Sequence, residues 1–105
     1  MVIVETRAFT ARIDDLLTDE QYRGLQPHLV RRPTAGSAIP GTGGLRKLRW
    51  VASGRGKRGG TRVIYFWHPA SSQLLMLFAF GKNERTDLTA EQRKVLRQIV
   101  ESEYP

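Results

Sequence analysis

Cysteine is absent from this chain, which excludes a disulfide framework and a thiolate metal site. Histidine is nearly absent, and His28 and His68 are too few to form a metal-binding cluster. Long apolar runs are missing as well. The longest, Leu74 to Phe80, is far too short to span a bilayer. The start, MVIVETRAF, meets Glu5 before any signal-like apolar stretch forms, which predicts a cytoplasmic protein with no membrane partner. No P-loop, G-x-S-x-G or H-E-x-x-H string occurs. Neither metal nor cofactor is therefore expected.

The most telling absence is of negative charge. No carboxylate lies between Glu20 and Glu84, yet eleven Lys or Arg residues do. Seven of them, Arg46, Lys47, Arg49, Arg55, Lys57, Arg58 and Arg62, fall in one short stretch beside Trp50 and Tyr65. The formal charge is +7 over 105 residues. A compact basic block beside aromatics is the footprint of a protein that meets phosphate, most often RNA or DNA. The plainer alternative is a basic, solvated surface. The apolar share of 40% and the length suit one folded domain over residues 1–105 rather than a disordered tail.

The patterning predicts an α+β fold. Val2 to Val4 is a short β-branched strand, and Phe9, Ile13, Leu16 and Leu17 recur at helical spacing. Thr18 and Gln21 form a capping box that opens a second helix, in which Pro27 predicts a kink or an early break. Residues 33–44 read as a long loop whose G-T-G-G string is a tight turn in preference to a phosphate cradle, because a strand follows it. Residues 45–51, 61–68 and 74–80 read as strands, the first two joined by a glycine-rich basic hairpin connection. The last two strands are apolar on both faces, which predicts a central position with helices on one side. A second capping box, Thr89 and Gln92, opens a final helix. The expected architecture is a small, mainly antiparallel four-stranded sheet with two N-terminal helices and one C-terminal helix.

RNA supplies its own nucleophile, because a 2′-OH can attack the neighbouring phosphate. The protein must orient it, stabilise charge developing on phosphorus and help two protons move. Arginine suits the second task, since its fork grips phosphate oxygens and stays charged. Arg46, Lys47, Arg49, Arg58, Arg62 and Lys82 could meet these needs without histidine, or could simply bind phosphate.

The strings IPGTGGLRKLRW, GKRGGTRVIYFW and LLMLFAFGKNERTDLT resemble, in order and spacing, the RelE/HigB-type toxins of bacterial toxin–antitoxin systems, closest to the HigB branch. The resemblance spans roughly residues 17–100. It implies a microbial-RNase-like sandwich and an endoribonuclease that cuts mRNA in the ribosomal A site. It also implies two partners, the 70S ribosome with its mRNA and a cognate antitoxin of helix-turn-helix type. On that resemblance Arg62 contacts the scissile phosphate, and Lys82, Lys47 and Arg49 complete the catalytic set. Asn83 is expected beside them, Arg46 is expected to contact RNA, and Arg55, Lys57 and Arg58 of the glycine-rich loop are expected to dock on ribosomal RNA. Two positions depart from relatives, some of which place an arginine at Asn83 and a base-stacking tyrosine at Thr89. The acid and base thus stay open. So do two other functions, a non-catalytic RNA- or ribosome-binding module and a gyrase inhibitor of similar fold. For the remaining candidates, His68 reads as a turn residue, Trp50 and Tyr65 as core, and Glu84 as an ion pair with Arg85.

Overall fold

The computed structural model describes residues 1–50, 60–85 and 87–105. The chain runs β1 (Val2–Glu5), α1 (Arg7–Leu16), α2 (Asp19–Arg31), β2 (Ser37–Ala38), β3 (Leu45–Trp50), β4 (Thr61–His68), β5 (Gln73–Gly81) and α3 (Ala90–Glu103). Each helix starts where the sequence offers a threonine. Thr6 accepts from the Phe9 N–H, and both predicted capping boxes are closed, Thr18 with Gln21 and Thr89 with Gln92. Thr6 also donates to the Leu77 carbonyl at 2.8 Å, so the same residue that starts α1 fastens it to β5.

The α+β class is as expected, but the sheet is mixed and has five strands, in the order β1-β5-β4-β3-β2. The strand beyond the expected four is β2, inside the stretch read as a long loop. It pairs antiparallel with β3, Ser37 opposite Lys47 and Ala38 opposite Arg46. Two residues are too few to show a period of two. What creates this strand is the G-T-G-G turn. Gly41, Gly43 and Gly44 take φ of 73°, 74° and 114°, and buried Thr42 donates to the Ile39 carbonyl while accepting from the Leu45 N–H. The reading of that string as a tight turn holds. At the other edge β1 lies parallel to β5.

Helices cover both faces, not one. Phe9, Ile13 and Leu17 with Leu25 and Leu29 of α2 pack on Val63, Tyr65, Leu74 and Met76. Leu96 and Val100 of α3 pack on Ile64, Leu75 and Leu77 from the opposite side. Since β4 and β5 are apolar at odd and even positions alike, each face needs its own cover, and the C-terminal helix supplies the second. The β4–β5 register skips Leu77, so Leu77 and Phe78 both join the α3-side cluster before alternation resumes at Ala79. Helix α2 does not break at Pro27 but continues to Arg31. Leu25 and Leu29, both fully buried, hold the turns on either side against the sheet. Among the described residues no helix is long and apolar enough to cross a membrane.

Candidate functional site

Strand register decides which cations meet. In β3, Lys47 lies opposite Ile64, and Arg49 lies opposite Arg62. Ile64 belongs to the α3-side cluster, so the period of two puts Lys47, Arg49 and Arg62 on that same face. Arg62 also lies opposite Phe80 of β5, which is fully buried on the α3 side. Arg49 is exposed, whereas Lys47 and Arg62 are half-buried. Like charges directly opposite one another on a sheet are unfavourable by a few tenths of a kcal/mol, roughly up to 1. A fold that keeps two arginines in such register gathers positive charge at one place. Arg62 is steadied by Nη1 donating to the Gly60 carbonyl at 3.2 Å.

The same end of the sheet receives Lys82. Gly81 is the register partner of Thr61, so Lys82 follows one residue beyond the last pair, at the end of the sheet where Arg62 lies. Lys82 and Asn83 are exposed in the turn. That turn is anchored by Glu84, which accepts from the Gly81 N–H at 2.9 Å and from Arg12 of α1. The expected pair with Arg85 is not made. Arg85 instead donates to Gln92 at 2.8 Å, and the chain reversal after β5 turns Glu84 back towards α1. The Gly81 N–H, then Arg12, hold the Glu84 carboxyl below its ordinary value.

Asp87 completes the face, and sequence reasoning gave it no role. Its Oδ1 accepts from the Leu88 N–H at 2.8 Å and stands 3.5 Å from Lys47 Nζ. The Leu88 N–H chiefly, with the charges of Lys47 and Arg93, keeps its carboxyl below the ordinary value. The available signal was position, since Asp87 follows the long acid-free stretch and precedes the α3 capping box. Thr89, where some relatives of the resembling family carry tyrosine, is occupied as the α3 cap.

The other predicted residues lie elsewhere. Arg46 points to the opposite face, where it donates to the Gly36 carbonyl at 2.7 Å, and it does not join the cluster. Its register partner is Tyr65, one residue off the Ile64 face. Arg55, Lys57 and Arg58, with the hairpin connection that carries them, lie outside the described residues. Tyr65 is core, with no exposure. Trp50 lies on the α1–α2 face, its Nε1 donating to the Gln21 carbonyl, and Trp67 packs against the same cluster. His68 stacks on Tyr104 at 4.2 Å. It is six residues along β4 from Arg62, about 20 Å at the usual strand rise. Among the described residues no three His, Cys, Asp or Glu side chains gather as metal ligands.

The two depressed carboxyls set an acid limit. Their folded-state values lie below the ordinary 4.5 for Glu84 and 3.8 for Asp87, so their stabilisation is complete above those values. It is lost as pH falls through the lower folded-state values, where protonation breaks the bonds to Gly81 and Leu88. Thermal melts from pH 6 to about pH 3 should show a falling Tm, with a shallower fall in Glu84→Gln/Asp87→Asn. Parallel curves for the variant and the wild type would mean that other groups govern acid unfolding.

The arrangement can hold a phosphate between two arginine forks with lysines at either side. No protein-family model matches the chain.

Proposed function

We propose that this protein is the toxin of a toxin–antitoxin pair, a ribosome-dependent endoribonuclease that cuts mRNA in the A site. The observation that carries the reading is the Arg49–Arg62 register pair, with Lys47 on its face and Lys82 at its end of the sheet. These are the four residues that the resemblance to RelE/HigB-type toxins makes catalytic. Arg62, half-buried and braced on Gly60, grips the scissile phosphate and stabilises charge as the 2′-OH attacks. Arg49 supplies a second fork from the neighbouring strand. Lys82 approaches from the β5 turn, beside the leaving group. Asp87 is a weak base because its carboxyl is held low, so it serves as a positioning residue that aims Lys47. A cytoplasmic location and neutralisation by a helix-turn-helix antitoxin belong to the same reading.

One observation favours a second reading, a non-catalytic RNA- or ribosome-binding module. Both histidines are away from the cationic face, His28 against Trp50 and His68 at the far end of β4. Mapping of mRNA 5′ ends after brief induction separates the two. In-frame new ends in translated messages, absent with Arg62→Ala, are expected of the nuclease. Growth arrest without new ends would leave the binding module, or a gyrase poison, in its place.

A further inference from the structure

A second cationic surface lies on α3, apart from the four residues above. A groove of about 350 Å³ runs between the G-T-G-G turn and the helix, lined by Pro40, Gly41, Ala90, Arg93, Lys94 and Arg97. Three of its six lining residues are cations and none is an acid. Arg93 and Arg97 are four apart on the helix and Lys94 and Arg97 three apart, so their heads share one side. Arg97 is held across the groove, Nη1 donating to the Gly41 carbonyl at 3.2 Å while Glu101 accepts from Nε. Lys94 has no hydrogen-bond or ion-pair partner among the described residues, and Glu91, one turn back, does not reach it. Arg93 donates weakly to the Leu88 carbonyl at 3.4 Å, and its Nε finds no acceptor among the described residues. On the other wall, Gly41 opens onto space, with no heavy atom within 4 Å of where a Cβ would stand. An oxyanion can therefore come close to the backbone there.

The helix end does not supply the attraction, because Thr89 and Gln92 already occupy it. The side chains do. The groove also adjoins the first site, since Arg93 donates to the carbonyl of Leu88, the neighbour of Asp87, which pairs with Lys47. Cations thus continue from Arg62 and Arg49 through Lys47 to Arg93, Lys94 and Arg97, with Asp87, paired with Lys47, between them.

We infer that the groove between the Gly41 turn and α3 seats a second backbone phosphate of the RNA strand that Arg49 and Arg62 engage. This rests on the RNA reading of the first site. A single strand held at two points is bent and fixed in register, which is what in-line attack by a 2′-OH requires.

The test is the salt dependence of binding to fluorescein-labelled, 2′-O-methyl single-stranded RNA, in a long and a trinucleotide form. The 2′-O-methyl groups prevent cleavage. For the long strand, Lys94→Ala is expected to reduce the log–log salt slope by about 0.7, and Lys94→Ala/Arg97→Gln by about twice that. The trinucleotide, which has only two linking phosphates, should show a smaller change of slope in each variant than the long strand. Arg23→Ala, a cation on α2, should leave both slopes unchanged. Wild-type slopes in Lys94 variants that melt normally would overturn the groove, and so would a wild-type protein that binds neither strand. The nuclease reading would survive the first of these results if Arg62→Ala still abolished the mapped 5′ ends.

Discussion

Replacing Arg62 with alanine is expected, on the nuclease reading, to lower mRNA cleavage on the ribosome by about 10²–10³-fold, the usual cost of removing one donor aimed at developing charge. That corresponds to roughly 3–4 kcal/mol of transition-state stabilisation. Association with the ribosome should change little, because one contact is a small part of the field of a +7 protein. Arg62→Lys discriminates further. It keeps the charge but loses the planar fork, so it should recover only part of the rate if two phosphate oxygens are gripped together. Full recovery by lysine would make Arg62 a point charge. Unchanged cleavage in Arg62→Ala would remove it from the chemistry. The fold should tolerate the change, since Arg62 is only half-buried, and the loss of one of two facing arginines relieves repulsion.

The largest effect on stability is expected at Tyr65. Its ring has no exposure, and its hydroxyl donates to the Pro33 carbonyl at 2.7 Å while accepting from the Gly36 N–H at 2.9 Å. Gly36 is there because nothing larger fits, as a Cβ would stand 2.9 Å from the ring. Tyr65→Ala should cost about 3–5 kcal/mol for the ring alone. Tyr65→Phe keeps the ring but leaves Gly36 N–H and Pro33 C=O without their partner, for about 1–3 kcal/mol. Against a total of roughly 5–15 kcal/mol, the alanine variant approaches unfolding. Denaturant melts of both variants give the two figures. A Tyr65→Phe variant as stable as wild type would show that water replaces the hydroxyl. Burial also raises the Tyr65 hydroxyl above its ordinary value, so it stays a donor to Pro33 well into alkaline solution.

The helices were legible because their signals are local. Thr18 with Gln21 and Thr89 with Gln92 announce their own caps within one turn, and Leu25 and Leu29 repeat at the helical period. The G-T-G-G turn was legible for the same reason. Pro27 does not end α2, because a missing donor is a local cost, while burial of the leucines on either side is a tertiary gain. Strand β2 was hidden because two residues carry no period. The second helical layer was hidden because an apolar strand says that both faces are covered, not by what.

Of the site, composition alone gives the charge, a concentration of arginine and lysine with no acid among them between Glu20 and Glu84. The sequence by itself also determined the alternation by which neighbouring residues of β3 part company. Which members of that set lie together follows from the tertiary fold. The β3–β4 register puts Arg49 against Arg62 and sends Arg46 to the far face to hold Gly36. The turn after β5 delivers Lys82 to the same end and gives Glu84 to Arg12. The approach to α3 sets Asp87 beside Lys47, residues forty apart in the chain. Register and chain reversal depend on contacts distant in sequence, and a charge count carries no record of them.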